Sequence, residues 1–451
     1  MHSRRDFLGN AGLGFAAAAA PPLGALRRAD GRAFTIEKID LVTVKVPFRD
    51  LPARAMAREI PHWQYSEICE VRLRSGQAGF GETLLYYTWG RTEDEDVKRA
   101  LGRNALDLLW DDSLGAGLQI ALFDAVARAA GVPVHRLLGH PVRAQVPLSW
   151  WNIDMPAEDM AAECKEALRQ GYLAYKTKGR PWFDLWKQMD LSTKEVPPEF
   201  KIDMDFNATL LDADRALPIL KDLEKYPQTD IFEEPIPQGD VEGNRKICAA
   251  TPIKVALHYN RTAPRAVIKE GVCDGFVVGG GASRLLHTGH FCAETDLPFW
   301  LQLVGTGITA AWSTHLGAVL THATWPAVNC HQLFTQSMLT EPVRVEKGHA
   351  TVTEKPGLGY ELDRDAVEKF RVPRPERMPD PPRLVETSWP DGRKMYFASD
   401  GRVNFVLRAG MAGKIPFYER GATTRVWADD GTARFRELLE KARKEPVLLK
   451  E

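Results

Sequence analysis

Between residues 145 and 331 the sequence alternates short apolar segments with longer amphipathic ones, and this alternation constrains the fold more than any other feature. Short apolar runs bounded by turn residues indicate strands, while apolar residues at helical spacing indicate helices. Strands that alternate with helices pair in parallel. The predicted strands lie at 145–150, 173–178, 200–205, 230–235, 253–258, 274–279, 299–304 and 327–331. Predicted helices between them lie at 157–170, 212–226, 262–270, 283–295 and 308–323.

These eight strands predict an α/β fold, in which they close into a (β/α)8 TIM barrel. The alternative is an open doubly wound sheet, which requires a glycine-rich phosphate-binding turn after its first strand. Gly279-Gly280-Gly281 is the only candidate for such a turn, and its spacing does not match the dinucleotide-binding pattern.

The regions on either side of the barrel have a different pattern. Strand-like runs at 34–46, 68–73 and 78–82, with a helix at 114–131, predict an α+β region. After the barrel, five prolines between residues 373 and 382 predict a linker. From Arg383, short β-like runs and a closing helix at 432–443 predict a small β-rich accessory module, here called the C-terminal module (residues 383–451).

The first thirty residues have the pattern of an export signal. Arg4-Arg5 is followed by Phe7-Leu8 and by the apolar run from Ala11 to Ala20, which is similar to the twin-arginine signal. The apolar run is too short to span a bilayer. We therefore expect residues 1–30 to be a signal peptide, and the protein to be exported by the twin-arginine route to the periplasm or another extracytoplasmic space. A short cytosolic amphipathic leader is the alternative.

Composition excludes several classes of partner and scaffold. The 59 basic and 60 acidic residues give a net charge of −1, so electrostatics provide no reason to bind nucleic acid or an acidic membrane. The six cysteines form no Cys-x-x-Cys pair, which argues against a disulfide scaffold and a thiolate zinc site.

Four predicted barrel strands end in polar residues. Lys178, Asp205, Glu233 and His258 follow one another at steps of one βα unit, and catalytic groups of such barrels lie at these strand ends. Lys176 shares a strand face with Lys178, and two neighbouring ammonium groups lower each other's pKa. The pattern predicts that Lys178 is a general base tuned by Lys176.

The two acidic strand ends suggest a metal site. Asp205 and Glu233 offer oxygen ligands suited to a hard cation such as Mg²⁺. Glu234 is expected behind them, because adjacent strand residues face opposite sides. A salt-bridged barrel interior is the structural alternative for these carboxylates.

These residues resemble the enolase superfamily, in its muconate-lactonizing and mandelate-racemase branch. The resemblance covers about residues 34–372 and is carried by the motifs Lys176-x-Lys178, Asp205-x-Asn207, Phe232-Glu233-Glu234-Pro235, Leu118-x-x-Ala121-Leu122-x-Asp124, Leu137-Leu138-Gly139 and Pro356-Gly357-Leu358-Gly359. It implies an N-terminal capping domain (33–142), a modified barrel (143–340), a return segment to the capping domain (341–372), and beyond these the linker and accessory module (373–451). It also implies Mg²⁺, homo-oligomers, and proton abstraction next to the carboxylate of a small-molecule substrate.

The sequence departs from this family at three strand ends. His258 stands where the third metal-binding acid is expected, and either binds metal or acts as an acid or base. A nitrogen ligand favours Mn²⁺ or another transition metal over Mg²⁺. Gly279 and Gly305 stand where the lysine of strand six and the acid of strand seven are expected in the family.

Substrate contacts are expected from loops of the capping domain and from the end of the first barrel strand. Arginines suit an acidic substrate and aromatic rings suit a sugar face. The candidates are Arg54, Arg58, His62, Trp63, Tyr86, Tyr87, Trp89 and Trp150, with Trp151 expected to share a pocket wall with Trp150, and with Asn207 and Glu234 supporting the metal ligands.

Taken together, these patterns predict a divalent-metal-dependent lyase or isomerase of the dehydratase or epimerase type. It would abstract the proton α to the carboxylate of an acid sugar or related hydroxy acid and form an enediolate. The alternative is a non-catalytic ligand-binding or structural protein on a degenerate scaffold of the same superfamily.

Overall fold

The computed structural model describes residues 31–87, 90–259 and 261–450. The predicted signal peptide and Trp89 lie outside these described residues. The strands are β1 (Ile36–Lys45), β2 (Tyr65–Leu73), β3 (Ala78–Leu84), β4 (Gln145–Trp151), β5 (Ala174–Lys178), β6 (Lys201–Asp205), β7 (Thr229–Glu233), β8 (Lys254–His258), β9 (Gly275–Val278), β10 (Phe299–Leu301), β11 (Ala327–Val328), β12 (Val345–Glu346), β13 (His349–Thr351), β14 (Arg383–Ser388), β15 (Arg393–Ala398), β16 (Thr423–Ala428) and β17 (Val447–Lys450).

The helices are interleaved with these strands along the chain. They are α1 (Asp50–Met56), α2 (Asp94–Ala100), α3 (Ala116–Ala130), α4 (His135–Leu138), α5 (Ala157–Arg169), α6 (Leu185–Glu195), α7 (Ala213–Leu223), α8 (Val241–Ala250), α9 (Pro264–Glu270), α10 (Ala282–Glu294), α11 (Gly307–Val319), α12 (Arg364–Phe370), α13 (Phe405–Met411) and α14 (Ala433–Lys444).

The eight strands β4 to β11 form a closed parallel barrel. Strands β4 to β10 are neighbours in chain order, and β11 pairs in parallel with β4. A parallel bridge between Gln302 and Val328 joins the end of β10 to β11, and the Leu303 amide donates to the Val328 carbonyl at 3.1 Å. This closure confirms the predicted TIM barrel. Helices α5 to α11 lie in the connections between successive strands.

The capping sheet β1–β2–β3 is antiparallel and packs against α3. Glycines in β3 allow this close packing, since a Cβ on Gly79 would lie 2.1 Å from the backbone nitrogen of Ala125. Asp124 of α3 is fully buried and accepts hydrogen bonds from the Phe80 amide at 3.0 Å and the Leu358 amide at 2.7 Å. Asp124 thus connects the capping sheet to residues near 358, where the chain returns towards it.

The C-terminal module is built around a four-stranded antiparallel sheet with the order β16–β14–β15–β17. The predicted closing helix corresponds to α14, but the expectation that it ends the module is wrong. Strand β17 follows it and pairs with β15. Trp182 and Phe183, from the loop after β5, share one apolar cluster with residues of the module. The module therefore packs directly on the barrel. The predicted domain boundaries themselves stay predictions.

All six cysteines are free thiols, and only Cys248 is partly exposed. None of the helices in the described ranges combines the length and apolar character of a bilayer-spanning helix.

Candidate functional site

The carboxyl ends of four neighbouring barrel strands bring the predicted polar residues together. Lys178 of β5 pairs in register with Asp205 of β6, and Asp205 pairs with Glu233 of β7. His258 ends β8, the next strand. Parallel pairing aligns the carboxyl ends of the strands, so these side chains share one mouth of the barrel.

Both lysines of β5 bind a carboxylate. Lys176 donates to Glu233 Oε2, and Lys178 donates to Asp205 Oδ2. Lys176 and Glu233 are almost completely buried, whereas the Lys178 side chain keeps 15% of its surface exposed. Lys176 therefore neutralises a charge inside the barrel, while Lys178 remains accessible from the barrel mouth.

Electrostatics give Lys176 a different role from the one predicted. Burial tends to lower its pKa, but the negative charges of Glu233 and Asp205 outweigh that effect and the pKa of Lys176 is raised. Burial would likewise raise the pKa of Glu233, yet Lys176, His258 and Lys178 bring it below its usual range. The expectation that the neighbouring ammonium group of Lys178 lowers the pKa of Lys176 is wrong, because the carboxylates of Glu233 and Asp205 raise it.

Asp205, Glu233 and His258 form a donor set whose chemistry fits a divalent cation. His258 Nε2 lies 3.0 Å from Glu233 Oε1, a separation at which two lone pairs require a proton or a cation between them. In the part of the chain that the structure describes, however, no three His, Cys, Asp or Glu side chains are grouped so as to hold a metal ion. The carboxylates of Asp205 and Glu233 are bound by lysines in the structure. Both side chains would have to turn to bind a metal ion.

Glu234 lies on the cavity and not behind the metal ligands as predicted. Its φ of +44° takes the chain out of strand geometry just after β7, so the alternation of faces no longer applies. The Glu234 carboxylate accepts from Asn207 Nδ2 at 3.3 Å and from Arg261 Nη1 at 3.2 Å, and lies 4.0 Å from His258 Nε2. Asn207 has a similar φ of +43° and also faces the cavity.

A cavity of about 670 Å³ lies over these strand ends. Its cationic lining comes from Lys178, Arg180, Arg261 and Arg284. Its aromatic lining comes from the capping loops and from β4, namely His62, Trp63, Tyr86, Tyr87 and Trp151, with Tyr259 following β8. The space is large enough for a small carboxylate with a substituent.

Three of the residues predicted to contact the substrate do not line this cavity. Arg54 is largely exposed and pairs with Asp159 at 2.9 Å. Arg58 is buried and pairs with Asp154 at 2.7 Å, so it supports the cavity wall from behind. The buried Trp150 donates its indole N–H to Glu163 at 3.0 Å.

Of the two tryptophans expected to form a pocket wall, Trp151 is the one that does so. It lines the cavity and stacks on Trp63, with ring centroids 5.6 Å apart. Adjacent strand residues point to opposite faces, and two successive tryptophans do not reveal which of them faces the cavity.

Arg180 is the most important residue that the sequence analysis missed. It donates to the Asn207 side chain at 2.6 Å and to the Asp205 carbonyl at 3.1 Å. The signal was available, because Lys176, Lys178 and Arg180 follow the two-residue spacing of one strand face. Asp154, which also lines the cavity, follows the end of β4 in a segment without regular spacing, and no sequence pattern indicated it.

Residues 159–366 match the sequence family described as enolase C-terminal domain-like. The curated relatives include an o-succinylbenzoate synthase from Geobacillus stearothermophilus, which is 25% identical over 340 residues and covers 67% of this chain and 88% of its own. An arabinonate dehydratase from Saccharolobus solfataricus is 21% identical, with coverages of 67% and 89%. A D-galactarolactone cycloisomerase from Agrobacterium fabrum is 26% identical, with coverages of 68% and 92%.

Two solved structures show the same fold. Muconate cycloisomerase from Pseudomonas fluorescens superimposes with a TM-score of 0.60 at 21% identity, and covers 75% of this chain and 99% of its own. An enolase from Thermobispora bispora, solved with magnesium and formate, has a TM-score of 0.60 at 20% identity, with coverages of 75% and 92%.

Proposed function

Since this chain belongs to the enolase superfamily, in its muconate-lactonizing and mandelate-racemase branch, we propose that it is an exported, divalent-metal-dependent lyase or isomerase. Its substrate is an acid sugar or a related hydroxy acid, and its reaction begins with removal of the proton next to the carboxylate. The observation that carries the proposal is the accessible Lys178, which shares the mouth of one cavity with Asp205 and His258.

Lys178 is the general base. It is the lysine of β5 that lines the cavity, whereas Lys176 is enclosed with Glu233. The neutral amine of Lys178 accepts the α-proton, and the carbon–hydrogen electrons move into the carboxylate to give the enediolate. Arg180, which lines the same cavity, places positive charge near the new negative charge, which lowers the energy of this state.

His258 completes the reaction in one of two ways. As an acid, its imidazolium donates a proton to a leaving hydroxyl, which departs as water in a dehydration. In an epimerisation it returns a proton to the α-carbon. Its position beside Glu233 equally suits a role as third metal ligand.

Asp205, Glu233 and His258 are the residues that would hold Mg²⁺ or Mn²⁺. A bound divalent cation supplies a positive charge that binds the substrate carboxylate and stabilises the enediolate. Because His258 replaces a carboxylate, the site carries less negative charge than one with three acids, and the imidazole nitrogen favours Mn²⁺.

Exchange of the substrate α-proton with solvent deuterium tests the proposal. The protein, with Mg²⁺ or Mn²⁺, is incubated in D₂O with a panel of sugar acids and hydroxy acids, and exchange is followed by NMR. We expect exchange with at least one acid, and a loss of about 10²-fold or more in Lys178→Ala. Lys246→Ala, which changes an exposed lysine on α8, is the matched control. Absence of exchange across the panel contradicts the proposal.

A non-catalytic ligand-binding protein on the same scaffold is the second candidate. The occupation of both carboxylates by lysines favours it. Such a protein would bind acids without proton exchange, and would keep its affinity in Lys178→Ala.

Export and self-association are further parts of the proposal. The paired arginines of the leader support export, and we expect a fusion of residues 1–30 to a folded reporter to lose export when Arg4 and Arg5 both become Lys. We also propose a homo-oligomer, which light scattering of the protein would detect as a mass above 50.4 kDa.

A further inference from the structure

One side of the cavity comes from the C-terminal module. Val403, Asn404, Leu407 and Met411 line it, and Leu407 and Met411 belong to α13. Three of these four side chains are apolar. The family match covers residues 159–366 and ends before the module begins at Arg383, so this wall lies outside the matched region.

Hydrogen bonds fix this wall to the loop of the capping domain that contains Arg58 and Glu59, here called the capping loop. The buried Glu59 carboxylate accepts from the Val406 amide at 2.9 Å and from the Leu407 amide at 3.3 Å. Arg383 donates to the Arg58 carbonyl at 2.9 Å. Buried charge-assisted bonds of this kind hold α13 in one position relative to the capping loop.

The loop after β5 anchors the module from the barrel side. Tyr418 is buried and donates to the Gly179 carbonyl at 3.1 Å, next to Lys178. Its hydroxyl also lies 2.7 Å from Thr209 Oγ1. Packing of Trp182 and Phe183 into the apolar cluster of the module adds to these contacts. The wall on α13 is therefore tied to the same loop that follows the proposed base.

The cavity has parts of opposite polarity. The strand ends and the loops after them supply charged groups of both signs: the acids Asp154, Asp205 and Glu234, and the cations Lys178, Arg180, Arg261 and Arg284, which suit a carboxylate. The side formed by α13 supplies Val403, Leu407 and Met411, which cannot hydrogen-bond the hydroxyls of a sugar chain, and a single polar side chain, Asn404.

We propose that the C-terminal module selects the substrate, by providing an apolar wall for the end of a hydroxy acid distal to its carboxylate. This inference rests on the proposed function for the position of the carboxylate at the strand ends. Among hydroxy acids, the C-terminal module selects those with an apolar tail over those that are hydroxylated along their whole length.

A series of 2-hydroxy acids with growing alkyl tails tests this inference. Binding of glycolate, lactate, 2-hydroxyhexanoate and 2-hydroxyoctanoate, each with excess Mn²⁺, is measured by quenching of tryptophan fluorescence, since Trp63 and Trp151 line the cavity. We expect the affinity to rise with tail length by up to about fourfold per buried methylene. Gluconate, which matches 2-hydroxyhexanoate in length, should bind more weakly than that acid.

Variants of the wall separate its contribution from that of the carboxylate site. Leu407→Gln and Met411→Gln should flatten the dependence on tail length and leave the affinity for glycolate unchanged. Leu448→Gln, on exposed β17 of the same module, should behave like the wild type. Met411 is itself 46% exposed, so its variant tests the wall even if Leu407→Gln is poorly folded.

The two proposals fail in different ways. Wild-type affinity that does not rise with tail length, or variants that keep the rise, overturns the inference about the wall. Binding needs no turnover, so a tail-length dependence without deuterium exchange overturns the proposed reaction and leaves the wall in place.

Discussion

Lys176 and Glu233 form an ion pair from which water is almost completely excluded. Two charges in such a place stabilise each other only as a pair, because each one alone would bear the full cost of leaving water. The pair therefore makes the centre of the barrel sensitive to single substitutions that leave one charge without its partner.

Removal of one partner of this pair should be more harmful than removal of both. We expect Lys176→Met to lower the free energy of unfolding by about 3–5 kcal/mol, because Glu233 then remains charged without a buried cation. The double variant Lys176→Met/Glu233→Leu should recover a large part of this loss. Urea unfolding of the three proteins measures the difference. A double variant that is less stable than the single one would show that the pair is not the source of the effect.

His315 should make stability depend on pH. Burial lowers its pKa to about 4, and its Nε2 lies 3.1 Å from the Leu358 carbonyl, so the folded protein holds the neutral ring. An unfolded histidine has a pKa of about 6.5, so the stabilisation is present above that pH and is lost as pH falls towards 4. The loss amounts to about 3 kcal/mol at most.

The variant His315→Gln tests this pH dependence. Its unfolding free energy should fall less steeply than that of the wild type between pH 6.5 and 4, and with the same slope above pH 7. If the unfolding free energies of the two proteins changed with the same slope over the whole pH range, the prediction would be contradicted. His62 and His331 also have pKa values lowered by burial to about 4, so some slope should remain in the variant.

At the residue scale, the strand-end rule identified Lys178, Asp205 and His258 as neighbours, because a parallel sheet places the ends of its strands at one edge. It failed where the backbone leaves the strand, as at Glu234, whose positive φ turns the side chain to the cavity. It also gave no information about Leu407 and Met411, since contacts between distant parts of the chain leave no periodic signal.

At the element scale, hydrophobic alternation located all eight barrel strands, because a strand buried on both faces is a short apolar run. It gave no bounds for α6 and α8. Helix α8 contains Gly243 and Asn244, which form helices poorly in isolation, and its apolar face is short. Helix α13 lies in the stretch after Arg383 for which the sequence predicts only short β-like runs. It begins with Phe405-Val406-Leu407, and aromatic and branched residues favour strands, but tertiary packing decides otherwise here.

The packing of β3 on α3 provides a test at this scale. In Gly79→Ala the new methyl group would lie 2.1 Å from the Ala125 backbone nitrogen, so the sheet and helix must separate. We expect a loss of about 3 kcal/mol or more, which thermal unfolding would show as a lower Tm. Gly239→Ala is the control, because a Cβ there has no heavy atom within 4 Å and should leave the Tm nearly unchanged.

For the whole molecule, a bound divalent cation should raise the Tm by mass action. At a concentration of 100 times Kd, the stabilisation is about 2.7 kcal/mol. We expect Mn²⁺ or Mg²⁺ to raise the Tm of the EDTA-treated protein, and Asp205→Asn to abolish the rise. Asp214→Asn, a change at an exposed ion pair on α7, should retain it. No shift with any divalent cation would favour the non-catalytic candidate.

The free cysteines have a consequence for how the folded protein can be followed over time. Burial raises the pKa of all six thiols and hides five of them from reagents, so alkylation requires the chain to open around them. Cys69 lies in the capping sheet and Cys330 just after the last barrel strand. The order in which a thiol reagent labels these cysteines would show which part of the molecule opens first, without any added probe.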